Sequence, residues 1–94
     1  MSKKWYIVHT HTGLENKVKA TLEERIKAAG QEESFGEILV PTEQVVEMVK
    51  GARKTSERKF FPGYILVNMD MNEHTWHIVQ ETPRVTGFVG INIS

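Results

Sequence analysis

Leu14, Val18, Leu22, Ile26 and Ala29 recur at steps of four, four, four and three. That spacing places five apolar side chains on one stripe of an α-helix and predicts a helix over residues 13–29. Thr12-Gly13-Leu14-Glu15 has the capping-box spacing at its start, and Gly30 stands where a left-handed stop belongs. Glu15/Lys19 and Glu23/Lys27 read as favourable pairs on the wet side. A helix with one apolar stripe needs a second layer to cover it. The flanking sequence supplies strands.

WYIVHT, residues 5–10, is aromatic and β-branched, with Trp5, Ile7 and His9 on one face and Tyr6 and Val8 on the other. EILVPT is a short strand limited by Pro41. TEQVVEMVK fits either a strand or a helical turn, and GARKTSER reads as a basic, exposed turn region. FFPGYILVNM is apolar on both faces from Tyr64 to Val67, which places it centrally in a sheet. Asn72 can cap a second helix that Pro83 ends, and VTGFVG is the last strand. The order is roughly β-α-β-β-α-β. The expected fold is α+β, a two-layer sandwich of a four-stranded antiparallel sheet flanked by helices, and residues 1–94 read as one domain.

Charge is sorted along the chain although its total is zero. Lys50, Arg53, Lys54, Arg58 and Lys59 face only Glu57 within residues 50–59, while residues 1–49 and 60–94 are each net negative. Directly after this basic run comes KFFPGY, residues 59–64, which holds three of the chain's eight aromatic residues. If the segment is extended, Phe60 and Phe61 point to opposite faces, and only one enters the core. Cations beside exposed rings suit either phosphate neutralisation with base stacking or an aromatic anchor for a protein partner.

Catalytic and metal chemistry find little to work with. The chain has no cysteine, which removes disulfides and thiolate metal sites and suits a reducing, cytoplasmic setting. His9/His11 and His74/His77 have ligand-pair spacing, but surface or partly packed histidines are the simpler reading, and no metal or other cofactor is expected. Its serines lie outside any nucleophile elbow, and no glycine-rich phosphate loop is present. The expectation is a non-enzyme. No apolar run approaches a membrane span, and no membrane contact is expected.

Three stretches, WYIVHTHTGLENKV, EILVPTEQVVE with SERKFFPGYILVNM, and WHIVQETPRVTGFVG, together resemble the N-terminal domain of the bacterial transcription elongation factor family NusG, from Lys4 to Gly90. The resemblance implies an RNP-like fold that binds RNA polymerase across its main cleft. An apolar concavity would grip the clamp helices of the largest subunit, with Phe61 as the key aromatic and Tyr64, Trp5, His9, Phe60 and Pro62 around it. Thr75, Trp76 and His77 would match the side that approaches the gate loop of the second-largest subunit. Lys17, Arg53, Lys54, Arg58, Lys59, Thr82 and Arg84 would lie toward the upstream and non-template DNA. The implied outcome is a clamp held closed, which favours elongation and alters pausing. In relatives, contacts to Rho and to ribosomal protein S10 belong to a C-terminal KOW-type β-barrel; without it, polymerase binding is expected to survive and termination and coupling are not. His11 stands in place of a common aromatic, and Glu81 puts a negative charge near the implied DNA side. The competing expectation from the same element order is an RRM-like module for single-stranded RNA, against which the missing RNP1-like pattern counts.

Overall fold

A computed structural model describes residues 3–59 and 62–89, with the side chains of 42–49 and 53–59 outside the description. Phe60 and Phe61, on which two of the aromatic expectations fall, lie outside the described residues.

The chain runs β1 (Lys4–Thr10), α1 (Glu15–Ala28), a 3₁₀ turn (Glu32–Ser34), β2 (Phe35–Leu39), β3 (Thr42–Val49), β4 (Ala52–Lys59), β5 (Tyr64–Met69), α2 (Glu73–Gln80) and β6 (Val85–Phe88). Four strands form an antiparallel sheet in the order β2-β5-β1-β6, and β3 and β4 form a separate antiparallel ribbon. The α+β sandwich is as expected, with an added hairpin between β2 and β5. β5 is central because it carries apolar residues on both faces.

Alternation along β1 and β5 divides the sheet into two faces. In register, Tyr6 meets Val67 and Val8 meets Ile65 on the helix side, while Trp5 meets Asn68, Ile7 meets Leu66 and His9 meets Tyr64 on the other. The helix side is sealed: Val8, Ile65, Val67 and Met69 join Val18, Leu22 and Ile26 of α1, Ile78 and Val79 of α2, and Phe35 and Ile38 of β2 in one core. Phe35 and Ile38 share that face although they are three apart. A register shift between them leaves Gly36 and Glu37 exposed.

The start of α1 departs from expectation. Leu14 is the N-cap residue and no side chain caps the helix, so Thr12 does not perform that role. Glu15 is fully buried and therefore is not a surface partner of Lys19. The buried positions of α1 are Glu15, Val18, Leu22 and Ile26, with Leu14 only half-buried and Ala29 exposed. The stripe is rotated at both ends because a polar anchor occupies its first inward place. At the other end the Gly30 and Gln31 amides donate to Lys27 and Ile26 carbonyls, both at 3.0 Å, with Gly30 at φ +67°. This is the Schellman arrangement that Gly30 predicts.

In α2 the Asn72 side chain accepts from the Thr75 amide at 2.9 Å, and the Thr75 hydroxyl accepts from the Asn72 amide at 3.0 Å. The same hydroxyl donates to the Asp70 carbonyl at 2.7 Å, and Thr75 has no exposed surface. Thr82, 2% exposed, donates its hydroxyl to the Ile78 carbonyl at 2.7 Å. Thr75 and Thr82 thus correct the expectation that they face a gate loop and DNA: each turns inward to satisfy a helix end.

The hairpin corrects the reading of GARKTSER as a turn region. The turn is only Lys50-Gly51, with both φ values positive at 52° and 79°, and the remaining basic residues lie on β4. Two positive φ angles are the signature of a type I′ turn, whose twist matches the strands it joins.

Two substitutions test this core. Leu22→Ala removes a wholly buried side chain, and denaturant titration is expected to show a loss of about 2–5 kcal/mol. Thr82→Val keeps the shape but removes the shorter of two bonds to the Ile78 carbonyl, leaving it the Arg25 Nε at 3.4 Å; it is expected to cost about 1 kcal/mol with affinity for duplex DNA unchanged. A surface DNA contact would give the reverse, lost affinity at unchanged stability.

Candidate partner interface

The two helices cover one face of the sheet. On the open face Trp5, Ile7 and His9 of β1 lie beside Tyr64, Leu66 and Asn68 of β5, and Leu39 of β2 pairs with Leu66. All seven are half-buried, neither sealed in the core nor fully in water. The His9 and Tyr64 rings sit 5.0 Å apart, tilted by 33°. Trp5, His9 and Tyr64 are therefore brought together on one face. Ile7, Leu39 and Leu66 extend the patch; their signal was the two-faced apolar run in β5 and the partner strands beside it.

This face runs into a cluster of loops at one end of the sheet. Thr10 donates its amide to the Gly63 carbonyl at 2.7 Å, and His11 donates to the Arg84 carbonyl at 3.0 Å. The β1–α1 loop, the exposed Pro62 in its turn with Gly63, and the α2–β6 turn therefore meet. β2 approaches the same end, because it runs from Phe35 opposite Met69 to Leu39 opposite Leu66. The hairpin leaves the sheet there.

Of the expected cations, Lys17 and Arg84 lie at this end. Lys17 in the first turns of α1 and Arg84 at the start of β6 are exposed. Arg84 holds φ +75°, a left-handed conformation uncommon outside glycine, with its carbonyl tied by His11. On the ribbon, Glu43 stands opposite Arg58 and Glu47 opposite Lys54, whereas Arg53 is opposite Met48 and Lys59 opposite Thr42.

Trp76 and His77 are exposed on α2, with Trp76 at 40% and its ring 5.0 Å from His77 in an edge-on contact. His77 Nδ1 lies 3.5 Å from the exposed Glu81 carboxylate. This pair is on the helix layer, apart from the open face. Among the described residues, no three His, Asp or Glu side chains are grouped to hold a metal, and no helix is long and apolar enough to cross a membrane.

Comparison with known proteins gives this geometry a family. The family model described as "Transcription termination factor nusG" matches residues 3–93. The chain is 63% identical over 90 residues to the "Transcription termination/antitermination protein NusG" of Pseudomonas aeruginosa, covering 96% of this chain and 51% of that protein. It is 57% identical over 88 residues to the protein of that name in Haemophilus influenzae, covering 94% of this chain and 48% of the relative. The chain thus spans about half the length of the curated relatives it matches. Among solved structures, "Domain interaction in Thermotoga maritima NusG" superposes with a TM-score of 0.72 at 36% identity, covering 97% of this chain and 49% of that one. The N-terminal domain of NusG (NGN) from Methanocaldococcus jannaschii gives 0.63 at 20% identity, covering 96% of this chain and 89% of that one, a likeness of fold. On the span of the family match and the identity to these relatives, the chain belongs to the NusG family.

Proposed function

We propose that this chain binds RNA polymerase across its main cleft and biases the enzyme toward elongation. The carrying observation is the half-buried apolar face of Trp5, Ile7, Leu39, Leu66 and the stacked His9–Tyr64 pair, left open by both helices. A sheet face of this kind stays half in water unless a partner covers it, and aromatic anchors at such faces carry much of an interface's binding energy.

In this reading the clamp helices of the largest subunit seat on the open face beside Pro62, with Phe61 and Phe60 joined to it in the chain. Trp76 and His77, on the helix layer, face the gate loop of the second-largest subunit. Thr75 supports them from within by completing the capping box with Asn72 at the start of α2. Lys17, Arg53, Lys54, Arg58, Lys59 and Arg84 lie toward the upstream and non-template DNA. The effect on pausing needs no bond chemistry. A ligand that binds the closed clamp better than the open one shifts that equilibrium by its difference in affinity.

A second reading rests on the same ring pair. His9 and Tyr64 form a ring pair on an open antiparallel sheet, and RNP-type domains use sheet aromatics to stack unpaired bases. It requires that single-stranded RNA bind this chain with no polymerase present.

Phe61→Ala separates the two. Its affinity for purified core polymerase is expected to fall by about 2–4 kcal/mol, a loss of roughly 30-fold to 1,000-fold, with thermal stability retained. A folded variant that binds polymerase undiminished removes Phe61 from the contact. Micromolar binding of single-stranded RNA by the wild-type chain, reported by Trp5 fluorescence, would favour the second reading.

A further inference from the structure

Glu15 is fully buried, and its Oε2 accepts the Gly63 amide at 2.6 Å across 48 residues of sequence. Burying a carboxylate is costly unless hydrogen bonds compensate. A short bond from an amide to a carboxylate is of the charge-assisted kind, and the first turn of α1 favours negative charge. The same glycine is held on its other side, where its carbonyl accepts the Thr10 amide at 2.7 Å. Gly63 has φ +89°, and a Cβ there would stand 3.0 Å from Thr12 Oγ1 and 3.3 Å from the Thr10 carbonyl oxygen. The backbone between Pro62 and Tyr64 is thus held by a carboxylate and a strand amide, in a left-handed conformation and a tight space that both disfavour a side chain. Tyr64, the next residue, is in register with His9 and shares its ring contact.

We propose that Glu15 is a positioning residue of the partner interface: it clamps the Pro62–Gly63 turn from inside and so presets Tyr64, which follows that turn on the open face. The inference rests on the polymerase reading and adds to it a residue that no partner touches. A turn fixed before contact spares the complex the entropy of ordering it, which appears as affinity. Gly63 is required for the same reason, because only a residue without Cβ brings its amide to the carboxylate in this conformation.

The test combines amide hydrogen exchange with binding to purified RNA polymerase. In Glu15→Ala the Gly63 amide is expected to exchange faster while the core amides of Val8 and Val67 stay protected, and affinity is expected to fall by about tenfold or more. Glu15→Gln retains one oxygen acceptor and is expected to recover part of both. Gly63→Ala is expected to weaken binding as Glu15→Ala does, and combining it with Glu15→Gln is expected to add little, since both act on one turn. Glu24→Gln, on the exposed side of α1, is the control expected to change neither readout. Unchanged Gly63 exchange in Glu15→Ala overturns the inference, as does faster exchange with full affinity. If Glu15→Ala unfolds, so that Val8 and Val67 exchange as well, Glu15→Gln decides: wild-type exchange and affinity in that variant overturn it. A wild-type chain that does not bind polymerase sinks the proposed function and this inference with it, and Gly63 exchange then reports only whether the clamp exists.

Discussion

Among the described residues, the helices cover only one face of the four-stranded sheet. α1 and α2 are short, and both pack on the side that carries Tyr6, Val8, Ile65, Val67 and Met69. Strand alternation forces the next residues, Trp5, Ile7, Tyr64 and Leu66, to the opposite side. The pattern that builds the core therefore also builds an apolar surface that the chain's described helices leave open. Adding polar residues there would make a better isolated domain. The predominance of Trp5, Ile7, Leu39 and Leu66 there is the physical basis for proposing that face as a partner surface.

The second organising feature is convergence at one end. Three hydrogen bonds, Thr10 to Gly63, Gly63 to Glu15 and His11 to Arg84, tie together segments far apart in sequence. They place the Pro62–Gly63 turn, the start of α1 and the start of β6 beside the root of the basic hairpin. Apolar face and positive charge are thus neighbours in space as KFFPGY and the preceding run are neighbours in sequence.

Much of this was legible in the residues. Val18, Leu22 and Ile26 announce α1 through period alone, Gly30 its end, and Asn72 the start of α2, because those signals act within a few residues. β5 reads as central from its two-faced apolar run. What escaped depends on distant partners. Glu15 looks like a surface residue in any local rule, and only the packing of α1 against the turn 48 positions away turns it inward. Thr75 and Thr82 carry no local mark of burial, since a threonine that satisfies a helix end and one that faces water look alike in sequence. β4, with four cations and Glu57 among its eight residues, has no apolar alternation, and the Lys50-Gly51 turn lacks the usual asparagine or aspartate. Its strand character comes from pairing with β3. The residues named for polymerase and DNA came from family resemblance, and Phe60 and Phe61 keep that standing.

The central claim is that the open face is a contact surface. Methyl cross-saturation from purified RNA polymerase to the isotope-labelled chain tests it directly. Saturation should reach the methyl groups of Ile7, Leu39 and Leu66 and spare Ala20, Ala28 and Ala29 on the exposed side of α1. Transfer to those alanines with none at Ile7, Leu39 and Leu66 would contradict the account.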